Sequence, residues 1–311
     1  MKNSILNLLA QAGDAPLSGV RISSVLGISR VAVWKHIKTL VEEGYAIESS
    51  TRGYHLEDSH DLPLPFRFQD TPASVHFFPR LTSTMDKARQ MAREGAPHLT
   101  AVVAEEQTHG RGRLDRTWLS DRGGLWFTVI VRPDLPPPLA FHVNFAASLC
   151  LADTVTSVTG LEVSVKWPND LLAGGKKLAG LLSEMETRGD MLSFVTIGIG
   201  LNVNNNPEKR EPNGVSLKTL AGQPVSRPRI LSEFLKKFHD LLRDMDTTAI
   251  IGQWKTRTST LGRQVRIETP KELSEGMAVD VDDTGALVLE QADGTLKRII
   301  YGDCFYQGYN S

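Results

Sequence analysis

Apolar residues recur at helical spacing in three short segments at the start of the chain, residues 3–12, 18–26 and 30–43. A glycine follows each segment, as expected where a helix ends. Two runs rich in aromatic and aliphatic residues come next, at 45–48 and 54–56, and polar residues and glycine separate them. This pattern predicts three helices and a β-hairpin, which is the order of elements in a winged helix-turn-helix.

The third predicted helix carries most of the positive charge of this region. Its apolar residues Val33, Ile37, Leu40 and Val41 are predicted to face inward, and Ser29 is a predicted N-cap. No acidic residue lies between positions 17 and 40, so the segment is locally cationic. The pattern favours DNA binding, although winged helices also dock onto proteins. The predicted DNA contacts are Ser29, Arg30, Val33, Lys35, His36 and Arg52.

After a Pro-rich segment at 58–68, which is typical of an inter-domain linker, the periodicity alternates between two types. Strands are predicted at 101–104, 125–131, 163–166, 180–185 and 194–199, and helices at 84–93, 139–158 and 230–245. From residue 261 onward, short strands separated by turns, at 264–267, 278–281, 286–289 and 297–300, predict a small β-barrel of about five strands. The fold class is therefore α+β, with predicted domains at 1–62, 63–260 and 261–311.

Composition narrows the class of protein without identifying it. The 311 residues carry a formal net charge of −1 and are 41% hydrophobic, which is typical of a globular protein and gives no global attraction to a polyanion. Cys150 and Cys304 lie far apart with no metal-ligand spacing, so neither a disulfide framework nor a zinc site is expected. No run of about 18 apolar residues is present. We expect a cytoplasmic protein that does not span a membrane.

Four polar motifs fall in the middle region. Residues 107–118 combine glycines with three arginines, whose planar guanidinium groups suit phosphate or carboxylate. Residues 166–170, Lys-Trp-Pro-Asn-Asp, place an amide and a carboxylate where a strand ends, and Asp170 could hold Mg²⁺. Lysines precede a buried strand at 176–184, and residues 198–204 deliver Asn202 to the end of another. Each motif alone also fits an ordinary surface turn or strand end.

Together and in this order, the four motifs resemble those of the biotin protein ligase family. The resemblance covers the whole chain, since the winged helix is similar to that of the group that also acts as a repressor. It implies a central domain with a mixed sheet like that of class II synthetases, and a C-terminal SH3-like β-barrel. The implied activity forms biotinoyl-5′-AMP from biotin and ATP, and then transfers biotin to a lysine of the biotin carboxyl carrier protein of acetyl-CoA carboxylase.

The same resemblance implies roles for individual residues. Lys177, Arg111 and Arg113 would be catalytic, and Asp170 would bind Mg²⁺. Biotin would contact Ser83, Thr84, Gln107, Gly110, Arg111 and Lys177. The nucleotide would contact Arg113, Arg116, Trp118, Asn169, Lys177 and Asn202. Residues 204–215 resemble a loop that covers the adenylate. The partners implied are the carrier protein, biotin operator DNA and a second copy of the chain, with biotinoyl-AMP as corepressor.

Two positions depart from the family pattern. Met85 stands where an asparagine usually follows Ser-Thr, and Leu114-Asp115 interrupt the basic loop with an anion beside the predicted phosphate site. Two other classes also remain open. One is a lipoate ligase or an enzyme like the class II aminoacyl-tRNA synthetases, which share acyl-adenylate chemistry. The other is a transcription regulator that senses a small ligand without catalysis.

Overall fold

The computed structural model describes residues 1–57, 60–114 and 116–306. The first unit matches the predicted pattern of three helices and a hairpin. Its elements are α1 (Lys2–Ala12), α2 (Gly19–Leu26), α3 (Arg30–Glu42), β1 (Ile47–Ser50) and β2 (Gly53–Leu56). Serine hydroxyls cap two of the helices, since Ser18 accepts a hydrogen bond from Arg21 N at 3.2 Å and Ser29 accepts one from Ala32 N at 3.1 Å.

The structure corrects one packing prediction in this unit. Val33, Ile37 and Leu40 are buried in the core beneath α3 as predicted. Val41 was predicted to face inward but is 46% exposed. It lies on the flank of the helix, because at 100° per residue Val41 is rotated by about 70° from the centre of the stripe formed by Val33, Ile37 and Leu40.

The middle unit is built on a seven-stranded mixed sheet. Its elements are β3 (Ser74–Leu81), α4 (Thr84–Arg93), β4 (Thr100–Gln107), β5 (Leu125–Val131), α5 (Phe141–Thr159), β6 (Ser164–Lys166), β7 (Asp170–Ala173), β8 (Lys176–Arg188), β9 (Met191–Leu201), α6 (Leu217–Ala221), α7 (Arg227–Asp244) and α8 (Thr247–Arg257). The strand order is β3-β4-β5-β9-β8-β7-β6, and only β3 and β4 pair in parallel. The mixed α+β class is therefore confirmed.

The long helix α5 is the core helix of this unit. The segment at 137–159 is long and apolar enough to cross a membrane by length and composition, but 78% of that apolar window is buried inside the protein. Phe145 stacks edge-on against Trp254 of α8, with the ring centroids 4.8 Å apart. The apolar character of α5 is therefore accounted for by packing against its neighbours.

The third unit is a five-stranded antiparallel sheet, as the short strands and turns predict. Its strands are β10 (Gln264–Glu268), β11 (Leu273–Val281), β12 (Leu287–Glu290), β13 (Leu296–Ile299) and β14 (Asp303–Tyr306). They pair in the order β13-β12-β11-β10-β14. Closure of this sheet into a barrel stays a prediction.

Within the segment interpreted as a linker, residues 60–68 are described, and their apolar side chains pack onto the middle unit. Leu62, Leu64 and Phe68 are buried in the main core. Asp61 accepts hydrogen bonds from Arg227 Nε at 2.7 Å and from Asn204 Nδ2 at 2.9 Å. The buried Arg227 also donates to Glu105 at 2.8 Å. Burial raises the pKa of Glu105, and the positive charge of Arg227 opposes that rise.

Candidate active site and nucleic-acid interface

A cavity of about 370 Å³ lies over the ends of β7, β8 and β9. Glycines form part of its floor, since Gly180 on β8 pairs directly with Gly200 on β9. The indole of Trp118 covers both of them, and a Cβ atom would lie 2.8 Å from that ring at Gly180 and 2.4 Å from it at Gly200. The glycines therefore allow a flat ring to lie directly on the sheet.

Trp118 comes from the basic loop that follows β4. Its buried indole N–H has no hydrogen-bond partner among the described residues. An unsatisfied buried donor is uncommon in a folded protein, and this one lies against Gly200 on the floor of the cavity. Met85, the first departure from the family pattern, also lines the cavity, and a Cβ at Gly198 would lie 2.6 Å from its sulfur.

The polar group predicted to hold biotin forms a hydrogen-bonded cluster at one end of the cavity. Gln107 Oε1 accepts from Thr84 N at 2.7 Å and from Thr84 Oγ1 at 3.0 Å, while Gln107 Nε2 donates to Ser120 Oγ at 2.8 Å. Thr84 and Gln107 line the cavity, whereas Ser83 and Gly110 lie behind its wall. Ser83 is 2% exposed and caps α4 by accepting from Met85 N.

Arg111 is held by two carboxylates. Its Nη2 lies 2.5 Å from Glu184 Oε1 on β8, and its Nη1 lies 3.2 Å from Asp86 Oδ1 on α4. Charge-assisted contacts of this kind fix the plane of a guanidinium group. Arg111 is therefore presented to the cavity in one orientation.

The next two arginines of the loop reach the C-terminal sheet. Arg113 donates to Asn169 Oδ1 and to Gly302 O, both at 3.0 Å. Arg116 Nη2 lies 2.5 Å from Asp303 Oδ2. Burial lowers the pKa of Arg113, and the carboxylates of Asp303 and Asp170 oppose that effect. These contacts join the basic loop, the turn after β6 and the start of β14 around one cavity. Asp115 lies outside the described residues.

Lys177, at the start of β8, also lines the cavity. Its Nζ is 2.9 Å from Asp170 Oδ2 and 5.3 Å from the centroid of the Trp118 ring. Its backbone bonds to the polar loop that follows β9, because Lys177 N donates to Asn213 O and Val215 N donates to Lys177 O. Asn202 also lines the cavity and accepts from Asn205 Nδ2 at 2.9 Å. The predicted nucleotide and catalytic residues thus share one cavity.

Sequence reasoning missed several residues of the cavity wall. Gly302 and Asp303 contact the basic loop from the C-terminal sheet, and Arg210 reaches from the polar loop to Asp121, with 3.0 Å between the charged groups. Lys166 begins the Lys-Trp-Pro-Asn-Asp motif but was given no role, and it lines the cavity. Lys166 and Arg210 had a signal in the sequence, since one begins a motif and the other lies in the polar segment 204–215. Gly302 and Asp303 become neighbours of the basic loop only through long-range folding.

Five of the six predicted DNA contacts are exposed or half-buried, and one is fully buried. Ser29, Arg30, Lys35 and Arg52 are exposed, and His36 is half-buried. The prediction that Val33 contacts DNA is wrong, because its side chain is 0% exposed and packs in the core with Ile37 and Leu40. The apolar residue that α3 exposes in its first turn is Val31, which is 62% exposed.

Each of the three units matches a known family or domain. Residues 77–202 match the Biotin/lipoate A/B protein ligase family, residues 260–306 match the Biotin protein ligase C terminal domain, and residues 2–55 match an HTH domain. The chain is 35% identical to the bifunctional ligase/repressor BirA of Bacillus subtilis over 97% of this chain and 98% of that protein. The chain therefore belongs to the biotin protein ligase family.

Solved structures of the same family support the fold. A biotin protein ligase from Aquifex aeolicus in complex with biotin and ATP superposes with a TM-score of 0.62 at 26% identity, over 75% of this chain and 98% of that one. A second relative, the bifunctional ligase/repressor BirA of Escherichia coli, is 27% identical over 92% of this chain and 91% of that protein.

Proposed function

We propose that this protein is an ATP-dependent biotin protein ligase that biotinylates one lysine of the biotin carboxyl carrier protein of acetyl-CoA carboxylase. The observation that carries the proposal is the gathering of Lys177, Arg111, Arg113 and Arg116 around one glycine-floored cavity. The relatives named above are ligases, and one of them holds biotin and ATP.

The first step joins two anions. A carboxylate oxygen of biotin attacks the α-phosphorus of ATP, the bond to the β-phosphate oxygen breaks, and biotinoyl-5′-AMP and pyrophosphate form. Arg111 and Lys177 both line the cavity, so two cations can offset the repulsion between the carboxylate and the phosphate. Arg113 and Arg116 stabilise the charge that develops on the phosphoryl oxygens.

In the second step the ε-amine of the carrier lysine attacks the acyl carbon, and AMP leaves. Lys177 polarises the acyl phosphate through its fixed positive charge. Thr84 and Gln107 hold the biotin end, with Ser83 and the backbone at Gly110 behind them, while Trp118, Asn169 and Asn202 hold the nucleotide. Ser83 contributes by fixing the start of α4, since it lies behind the cavity wall.

The residues present fit Mg²⁺ held jointly with the nucleotide phosphates. Among the described residues, no three His, Cys, Asp or Glu side chains lie close enough together to hold a metal ion, so the protein offers no complete cage. Asp170 lines the cavity beside Lys177, and Mg²⁺ commonly binds one or two carboxylates together with substrate phosphates. When bound there, the ion would neutralise phosphate charge.

Mass spectrometry of a carrier domain incubated with this protein, biotin and MgATP tests the proposal. We expect a mass increase of one biotinyl group on one lysine, together with release of pyrophosphate. Lipoate in place of biotin is the matched control, because a lipoate ligase would use it instead. An unmodified carrier with biotin would contradict the assignment.

We also propose that the protein represses biotin-synthesis genes as a homodimer, with biotinoyl-AMP as corepressor, in the cytoplasm. The exposed cations of α3 and of the hairpin support DNA binding, and two copies would read two half-sites of the operator. Burial raises the pKa of the Cys150 and Cys304 thiols to about 12, which suits unreactive thiols in a reducing compartment. Footprinting of biotin-gene promoters, with and without biotin and MgATP, tests this proposal, and protection that ignores both ligands would contradict the corepressor.

A further inference from the structure

Two large apolar side chains are exposed in the first half of the recognition helix α3. Val31 is 62% exposed and Trp34 is 52% exposed. Residues three apart on a helix are neighbours on its surface, so the two side chains form one patch, which we call the α3 apolar patch. The fold does not use the patch, because α3 packs onto its own core through Val33, Ile37 and Leu40.

Cations surround the α3 apolar patch. Arg30 precedes Val31, Lys35 lies one turn after it, and Lys38 Nζ is 5.7 Å from the centroid of the Trp34 ring. Neither Arg30 nor Lys35 makes an ion pair with a described residue, and no acidic residue lies between positions 17 and 40. An apolar centre with a cationic rim is complementary to a groove whose walls are phosphates and whose floor carries apolar groups.

The position of the patch points to base edges. A recognition helix contacts bases mainly through its N-terminal residues, and Val31 lies in the first turn, directly after the Ser29 cap. In the major groove only thymine presents an apolar group, the C5 methyl. Arginine and lysine would bind guanine or phosphate, and an isopropyl group can do neither.

We infer that Val31 and Trp34 read thymine methyl groups in the operator, an inference that rests on the DNA-binding function proposed above. Val31 contacts a methyl group through its isopropyl side chain. Trp34 extends the apolar surface toward a neighbouring base pair, and the cations around them contact the phosphates.

The test removes the methyl group from the DNA and the apolar group from the protein. The full-length protein, with biotin and MgATP, first selects duplexes from a random-sequence pool. The selected duplex is then synthesised with deoxyuridine in place of thymidine, which deletes the C5 methyl alone. Binding of both duplexes is measured for wild type, Val31→Ala, Val31→Thr and Trp34→Ala. Val41→Ala is the matched control, because Val41 is also exposed on α3 but lies in the last turn.

Wild type is expected to lose about four-fold in affinity for each contacted methyl that is removed. Val31→Ala and Trp34→Ala should lose affinity for the thymine duplex by a similar factor and respond less to deoxyuridine than wild type does. Val31→Thr keeps the branched shape and one methyl group but replaces the other with a hydroxyl, so it should fall between wild type and Val31→Ala. Val41→Ala should behave like wild type.

Three results would overturn the inference. Wild type could bind both duplexes equally, or the selected half-sites could contain no thymine. The variants could also lose affinity equally for both duplexes while changing oligomeric state, which would place the patch in a protein interface. Failure of the DNA-binding function itself has a different signature, since wild type would then enrich no duplex at all.

Discussion

The cations of the cavity and the cations of the winged helix are held in opposite ways. In the cavity, Arg111, Arg116 and Lys177 each lie within 3.2 Å of a carboxylate oxygen. On the winged helix, Arg30, Lys35 and Arg52 make no ion pair with any described residue. One region presents charges held by carboxylates, and the other presents exposed charges without a carboxylate partner among the described residues.

The difference matches the size of the ligands that we propose. A small molecule in a cavity gains from charges that are already oriented, because little ordering remains to be done when it binds. A duplex has many phosphates, and binding there draws on counterion release rather than on one fixed geometry. Internal carboxylates therefore preorganise the catalytic cations, and their absence leaves the DNA-binding cations free to adjust.

Among the carboxylate-paired cations of the cavity, the largest effect is expected from Lys177→Ala. The substitution removes the positive charge of Nζ from the cavity. This loss should slow adenylate formation by about 10²- to 10³-fold. Pyrophosphate release with biotin and MgATP measures the effect. Lys176→Ala is the matched control, because Lys176 is the exposed neighbour on β8 and lies outside the cavity wall. Equal loss in both variants, or near-normal turnover in Lys177→Ala, would contradict the assigned role.

A second test concerns retention of the intermediate. Arg113→Gly removes the two contacts that tie the basic loop to Asn169 and to Gly302, and it also loosens the backbone. We expect the variant to form biotinoyl-AMP but to release it sooner, so that lysines of an unrelated protein become biotinylated. Streptavidin blotting of albumin measures this background labelling.

Arg122→Gly is the control for that experiment, because Arg122 is exposed and pairs with Glu106 away from the cavity. It should label albumin no more than wild type does. If Arg113→Gly forms adenylate and its background equals that of wild type, Arg113 does not retain the intermediate.

Local sequence patterns predicted individual helices and strands better than they predicted which segments pair or contact one another. The predicted helix at 84–93 and strand at 125–131 have those bounds in the structure, because strong periodicity defines them. β3 was missed, since Pro79 interrupts it and an edge strand tolerates proline. β7 was missed because its four residues follow a Pro-Asn-Asp sequence that resembles a turn.

The site shows the same limit. The cavity-lining positions of Arg113, Asn169 and Lys177 followed from their motifs. The partner of Arg113 in the C-terminal sheet did not, because Gly302 lies 189 positions away and contributes only a backbone oxygen. Val33 was predicted both to face inward and to contact DNA, and only the first prediction fits its buried side chain, since the exposed valine in the first turn of α3 is Val31.

A smaller effect, on DNA affinity, is expected from removing one exposed cation of the winged helix. Lys35→Ala should weaken binding to all duplexes by a similar factor and reduce the slope of log affinity against log salt by about 1, as for the loss of one phosphate contact. Fluorescence anisotropy across a salt series measures the slope. Lys236→Ala on α7 removes the same charge far along the chain from the winged helix and should leave the slope unchanged. An unchanged slope in Lys35→Ala would place Lys35 outside the DNA interface.

The smallest effect concerns a paired charge that serves only the fold. Partial burial opposes ionisation of Asp282, but hydrogen bonds from Arg298, Thr284 and Ala286 outweigh it and lower the pKa of Asp282 to about 2. The folded state therefore favours the ionised form, so this stabilisation is present above the ordinary pKa of about 4 and is lost as the pH falls toward 2. Asp282→Asn should lower Tm at pH 7 by about 2 to 4 °C, and the difference from wild type should shrink below pH 4.

Asp283→Asn is the control for this last measurement, because Asp283 is exposed in the same turn and accepts no hydrogen bond from a described residue. The turn matters to the cavity, since Trp167 Nε1 of the Lys-Trp-Pro-Asn-Asp motif donates to Gly285 O at 3.1 Å. If the paired carboxylates of the cavity act by orienting cations for a ligand, Asp282→Asn should lower Tm without changing adenylate formation at 25 °C. If Asp282→Asn lowers adenylate formation together with Tm, the ion pair in the C-terminal sheet also sets the geometry of the cavity. The orientation of the cavity cations would then depend on the third unit as well.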